Sequence, residues 1–342
     1  MVTLTGGSES AAAAKPKKKQ WNYHPELPIG VSPLFSRPFN LKAVLKWFVG
    51  GWFPVSEKLI ILTLSCVSWF YFHPALIRCQ VFQFDWIAQI FARNLVLMVL
   101  VAGGLHLYFY VFRQQGEDRH YDARSFAKNN RVFTFNNQVL DNMFWTCASG
   151  VTIWSAYEVL MMWALANGYA PMLLWPQHAG WLILLIFLVP IWETLYFYLI
   201  HRLIHWPPLY RKVHYLHHRN INVGPWSGLS MHPIEHFIYL GSVLIHWVVP
   251  SNPLLIIYHL QHYTLSAATT HTGYQGIAIG GKIRLALGTF HHQMHHRYFE
   301  CNYGGLEIPC DKWAGSFNDG TPESHQQFLQ KRKLKAQSDQ AK

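Results

Sequence analysis

The residues of this chain best suited to chemistry are its imidazoles. His201, His205, His214, His217 and His218 fall within one eighteen-residue stretch, and a second stretch reads His291-His292-Gln-Met-His295-His296. Fifteen of the twenty-one histidines lie between His201 and His296. On helices, His201 and His205 stand i and i+4, and His214, His217 and His218 stand i, i+3 and i+4, so each set projects from one face. His292, His295 and His296 repeat the second spacing. Imidazole suits iron, copper, nickel and zinc alike. A tetrahedral zinc takes four ligands, and three when catalytic, so eight imidazoles, with His291 as a ninth, exceed what one ion can use. The zinc-protease pattern His-Glu-x-x-His is absent. Two metal ions with open positions use the inventory better, and the residues alone leave the metal open.

The elements that must position these histidines are those of a membrane protein. Half of the 342 residues are hydrophobic (51%), 16% are aromatic and only 13% are charged, against roughly 25% charged in a soluble domain. Apolar runs at about 59–77, 86–112, 139–165 and 180–200 each approach or exceed the ~20 residues that cross a hydrocarbon core as a helix. A further apolar region, 234–269, is broken by Pro250-Ser-Asn-Pro253 into two short arms, predicting a hairpin that returns the chain to the side it left. Residues 1–40, with a basic patch at 15–19 and Pro25, Pro28, Pro33 and Pro38, read as a flexible cytosolic tail. The stretch 41–53, with Lys42 and Lys46 among apolar residues, reads as an interfacial helix. No cleavable signal peptide is read at the N-terminus.

The expectation is an all-α, polytopic transmembrane bundle of four spans plus a short hairpin, capped by a histidine-rich helical layer. Its regions are a basic tail and interfacial segment (1–58), an N-terminal membrane region (59–179), a catalytic domain (180–320) and a polar C-terminal tail (321–342). The net charge of +11 resides in the tails and alternate loops and forms no stripe on one periodic segment, which argues against a nucleic-acid partner. Arg113, Arg119, Arg124, Lys128 and Arg131 follow the second run, and Arg202, Arg211, Lys212 and Arg219 follow the fourth. The loops at 166–179 and 250–253 carry no Lys or Arg. By the positive-inside rule the histidine boxes then all face the cytosol. Five cysteines without regular spacing predict neither a disulfide framework nor a zinc ribbon.

Other ionisable residues divide into a suspect and a background. Glu193 lies within an apolar run, a functional suspect by default, yet eight residues of helix set it roughly 12 Å from His201. That distance suits a supporting partner better than a shared ligand. His106, His246, His259 and His262 lie in apolar segments without ligand spacing to a box and read as satisfied core histidines. His24, His73, His120, His178 and His325 read as ordinary loop or tail residues.

At the boxes His201/His205, His214/His217/His218 and His291/His292/His295/His296, the sequence resembles the fatty acid hydroxylase and sterol desaturase superfamily of integral-membrane di-iron enzymes. Flanking matches are Tyr198 and Arg202, Pro-Pro-Leu-Tyr at 207–210, His232-Pro-Ile-Glu235, His271-Thr-Gly-Tyr, Asn302-Tyr-Gly304 and Asp311-Lys-Trp. The likeness covers about 180–320. It departs at Gln293-Met294, where an Asp often stands before the second half of the last box, and at Ala314-Gly-Ser316 in place of Phe-Gly-Thr.

The resemblance implies that His232 and His271 join the metal shell, and that Glu235 and Asp311 support ligand imidazoles. It implies two iron ions, with zinc a substitute in purified material, that use O2 to oxidise an unactivated C–H bond of a sterol or fatty-acyl lipid by hydroxylation or desaturation. Electrons would come from an external cytochrome b5 or ferredoxin-type donor, since no His-Pro-Gly-Gly haem stretch is present. The membrane would be the endoplasmic reticulum in a eukaryote or the inner membrane in a bacterium. A zinc-dependent membrane hydrolase and a histidine-lined metal transporter are the rival readings.

Overall fold

A computed structural model describes residues 21–340; the basic patch at 15–19 lies outside them. The elements are α1 (Leu41–Trp52), α2 (Glu57–Phe72), α3 (Phe84–Val111), α4 (138–166), α5 (Ala179–Ile204), α6 (207–218), α7 (Pro233–Leu240), α8 (Pro253–Thr270), a β1–β2 hairpin (Gly276–Ile279, Lys282–Ala286), α9 (Phe290–Tyr298), α10 (Cys310–Trp313) and α11 (Pro322–Gln340). Side chains start several of them: Ser56 Oγ accepts from the Lys58 N–H, Asn137 Oδ1 from Val139 and Leu140, and Asn252 Oδ1 from Leu255. Each satisfies backbone donors that a helix start leaves orphaned.

Among the described residues, two helices are long and apolar enough to cross a membrane, α3 and α5, and the α1–α2 pair, bent by 59°, makes a third if it is one span. The run expected at 139–165 forms a continuous rod, α4, but does not qualify as a span by apolarity. Asp141, Asn142 and Glu158 are buried along it, turned toward partners inside the bundle. These spans mark an integral membrane protein.

The expected hairpin is the centre of the molecule. Helix α8 is buried over nearly its whole length and packs against α2, α4 and α5, so the spans screen it. Ile256, Ile257, Tyr258, Leu260, Leu265 and Ala268 on it are fully enclosed. Such enclosure lets a helix carry His259, Gln261, His262 and Thr264 at membrane depth, because neighbouring helices satisfy them. Gln261 accepts from Ser65 Oγ and donates to Ser68 Oγ on α2. Gly228 lies so close to α8 that a Cβ there would sit 1.9 Å from the Ala267 carbonyl. At the far end, the lysine- and arginine-free loops meet, with Leu173 N–H donating to Ser251 O at 2.7 Å.

Three expectations change. The fold is mostly helical but not purely so: Gly280-Gly281, at φ 61° and 72°, turns the antiparallel β1–β2 hairpin, and paired positive φ is the geometry that matches strand twist in a two-residue turn. The alternation Ile277, Ile279, Ile283, Leu285 around Gly-Gly was the unread signal. Residues 21–36 are not a free tail. Asn22 and Tyr23 bond the Tyr121 carbonyl, Ile29 bonds Asp319, Ser32 bonds Leu306, and Trp21 stands edge-on to Phe290 of α9. The tail at 321–342 largely forms the α11 helix.

Candidate metal centre

Each histidine box is delivered by a separate helix. His201 ends α5 and His205 caps it; α6 carries His214, His217 and His218; His271 follows α8; α9 carries the last box. Folding sorts nine of these histidines, all but His291, into two groups, within each of which the ring nitrogens lie within 4.8 Å of one another. One comprises His201, His205, His214, His218 and His295; the other comprises His217, His271, His292 and His296. The i, i+4 pairs stay together, while the remaining histidine of each three-residue box crosses to the other group. The groups adjoin, with the His218 and His296 ring centroids 4.9 Å apart.

Hydrogen bonds from Nδ1 indicate which nitrogen is bare in five of the rings. Nδ1 of His201 donates to the Tyr303 carbonyl (2.6 Å), that of His271 to Ala267 O (2.7 Å), that of His295 to Cys301 O (2.7 Å) and that of His296 to Asn220 O (3.0 Å). His214 Nδ1 donates to Glu235 Oε1 at 2.6 Å. A neutral imidazole has one N–H, so the Nε2 atoms of these rings carry lone pairs. These nitrogens face each other: His271 and His296 at 3.0 Å, His201 and His214 at 3.1 Å. Two lone pairs at that distance repel unless a cation lies between them. Nitrogens about 2.1 Å from a common ion stand about 3 Å apart at right angles, so the spacing fits imidazoles sharing a metal. Burial holds His217, His218, His295 and His296 well below the usual imidazole range, and His205 down to about 2, which keeps them in the neutral, ligating form.

The other expected residues are placed unequally. His232 lies outside both groups, at the start of α7, where its Nδ1 accepts from the Ile234 N–H at 3.2 Å. His291 is also outside, buried against Phe317 with no partner for Nε2. Asp311 touches no imidazole; it accepts from the Tyr303 and Gly304 N–H groups and from Ser316, and so fixes the loop whose Tyr303 carbonyl holds His201. Glu193 lies outside both groups and bonds His262 Nδ1 at 2.5 Å. His246 and His259 continue that contact as a buried chain, His246 Nε2 to His259 Nδ1 at 3.0 Å. Sequence spacing missed this set because its members come from separate segments.

Glu235 is a buried carboxylate on a buried imidazole, an arrangement that orients a ligand ring and raises its basicity. Glu235→Ala should weaken metal retention by about 10–100-fold, read as the chelator concentration that strips half of the bound metal. Glu235→Gln, whose amide oxygen still accepts, should retain more. Wild-type retention in both would detach Glu235 from the centre.

A cavity of about 800 Å³ opens beside the two groups. His201, His214, His217, His271 and His292 border it, and it runs between α5 and α8 past Phe197, Met231 and Tyr239 to the bend between α1 and α2.

Residues 182–316 match the fatty acid hydroxylase family. The Delta(7)-sterol 5(6)-desaturase ERG3B of Gibberella zeae is 32% identical over 146 residues, 42% of this chain and 45% of that protein. The Delta(7)-sterol 5(6)-desaturase ERG3 of Saccharomyces cerevisiae is 32% identical over 120 residues, 35% of this chain and 32% of that protein. The chain therefore spans less than half the length of either. No solved structure matches it. The segment that carries all nine grouped histidines, residues 182–316, is thus the part of the chain that matches the fatty acid hydroxylase family, and these sterol desaturases are similar to it over part of their length.

Proposed function

We propose that the chain is a membrane-bound di-iron oxygenase that hydroxylates or desaturates a lipid. The observation that carries this reading is the facing of Nε2 atoms in two adjoining groups, an arrangement that fits a cation in each. His201, His205, His214, His218 and His295 would hold one iron and His217, His271, His292 and His296 the other. Iron bound there would supply the O2-dependent oxidation of an unactivated C–H bond.

The chain's own residues perform the remaining tasks. Tyr303, Cys301, Ala267 and Asn220 carbonyls and the Glu235 carboxylate hold the imidazoles in the ligating tautomer. The cavity admits an apolar molecule to the edge of both groups, and Phe197, in ring contact with His201 and His292, keeps water from that edge. The names of the relatives favour a sterol over a fatty-acyl chain. Electrons would arrive from an external cytochrome b5 or ferredoxin-type donor, which suits the basic residues Arg202, Arg211 and Lys212 around the boxes. The loop charges support a cytosolic site.

Metal analysis of the full chain, purified without chelator, tests the reading. Two irons per chain, with O2-dependent turnover of a supplied sterol or acyl lipid, is the expected result. One tightly held zinc and no oxidation after iron reconstitution would overturn it in favour of a hydrolase.

A further inference from the structure

The wall of the cavity holds a polar cluster that the metal groups do not use. Glu193 and His201 lie on one face of α5, eight residues and roughly 12 Å apart. His262 lies on α8 and His271 caps its end nine residues on, and all four side chains border the cavity. The Glu193–His262 bond at 2.5 Å therefore joins the two walls about two turns away from the histidine groups.

Several polar groups along this wall are satisfied. Glu307 receives Trp52 Nε1 at 3.3 Å and lies 3.5 Å from Lys58 Nζ, and Glu57 accepts from Thr269. Within this cluster Glu193 Oε1, His262 Nε2 and the Tyr263 hydroxyl have no hydrogen-bond partner, and elsewhere on the lining Glu235 Oε2, Ser266 Oγ and His291 Nε2 are likewise unanswered. Glu193, His262 and Tyr263 are 3%, 6% and 5% exposed, so bulk water does not serve them. His259 Nε2 stands 3.7 Å from Glu193 Oε1, beyond hydrogen-bond reach, and instead bonds Ser242 Oγ at 2.9 Å. With His262 Nδ1–H given to Glu193, its Nε2 is an acceptor. The cluster thus offers two acceptors and one phenolic donor without protein partners at the cavity wall.

We propose that Glu193, His262 and Tyr263 form the recognition site for the hydroxyl group of a lipid alcohol, whose hydrocarbon body extends along the cavity toward His201 and His271. An alcohol both donates one hydrogen and accepts another. Its O–H answers Glu193 Oε1 or His262 Nε2, and its lone pair answers Tyr263. A fatty acid would set a second carboxylate against Glu193, an ester or hydrocarbon has no hydrogen to donate, and an ammonium leaves the Tyr263 hydrogen unanswered. Glu193 here is a specificity-determining residue, since it touches the substrate remote from the reacting carbon. The assignment rests on the reading of the chain as a lipid-acting enzyme but not on its oxidative chemistry.

Equilibrium binding to the full chain in lipid nanodiscs tests it without turnover. The probe is dehydroergosterol, a fluorescent sterol alcohol, displaced by cholesterol against cholesteryl acetate and by oleyl alcohol against its methyl ether. A site built to bond a hydroxyl rejects the capped analogue, so the better-fitting alcohol should compete at least about tenfold more strongly than its capped form. The sterol and straight-chain pairs show which hydrocarbon body fits. Glu193→Leu should bring that ratio to within about twofold, and Tyr263→Phe, which removes one oxygen from a buried ring, should lower it about threefold. If Glu193→Leu does not fold, Tyr263→Phe and the wild-type ratio decide. Equal competition by alcohol and capped analogue in the wild type, or an undiminished ratio in the variants that fold, overturns the assignment. Alcohol-selective binding in a protein that never oxidises lipid would sink the oxygenase and leave this site standing.

Discussion

His217→Ala and His295→Ala each abolish O2-dependent lipid oxidation while the protein still inserts and folds. His217 is one of four imidazoles in its group and His295 one of five in the other, so on the proposed reading the two substitutions would strike different ions. Each also leaves a buried carbonyl unanswered, Ser230 for His217 and Cys301 for His295. Loss of a residue that only supports a ligand costs 10–100-fold in affinity or activity, so loss of a ligand should cost at least about 10²-fold. Metal content separates this from general damage: each variant should fall from about two irons per chain toward one or fewer. His232→Ala and His291→Ala, which change residues outside both groups, should keep the wild-type iron content. Unimpaired oxidation in both first variants contradicts the assignment of ligands, and a loss of iron in His232→Ala would enlarge it.

Glu158→Ala destabilises the bundle by about 3–5 kcal/mol, because it leaves a buried guanidinium without its counter-charge. Arg93 on α3 reaches both Glu158 oxygens on α4 at 2.5 Å. Asn94 donates to the same carboxylate at 3.1 Å and to Ser155 Oγ at 3.2 Å. Both charged residues are enclosed, at 8% and 0% exposure, so water cannot replace the lost partner. The variant should be recovered in low yield and unfold at lower temperature in detergent. Arg93→Leu combined with Glu158→Leu removes both charges and should restore most of the loss, since replacing a whole buried pair by apolar residues is often neutral. A single variant as stable as wild type would mean that the pair adds nothing to the packing of α3 on α4.

The sequence spoke most clearly where periodicity and residue type coincide. Runs of apolar residues announced α3 and α5, and imidazoles at i, i+3 and i+4 announced metal chemistry. Of the four expected runs, two or three form helices that qualify as spans by length and apolarity. Hydropathy averages over a helix and does not say that Asp141 and Glu158 on α4 meet Arg219 and Arg93 inside the bundle. The same averaging hid the role of α8, which reads as a short membrane arm and is the enclosed centre of the fold.

Sequence alone therefore determined the kind of chemistry, the membrane setting and the inventory of imidazoles, because these follow from residue types and spacings within single segments. Tertiary structure decided the grouping. It split the box at 214–218 and the box at 292–296 between two sites, brought His271 into the second and left His232 and His291 outside. It also joined Glu193 to His262 across sixty-nine residues of chain. Spacing along one helix fixes which face a side chain occupies. Which ring nitrogens meet across helices depends on how α5, α6, α8 and α9 converge, and no local pattern encodes that.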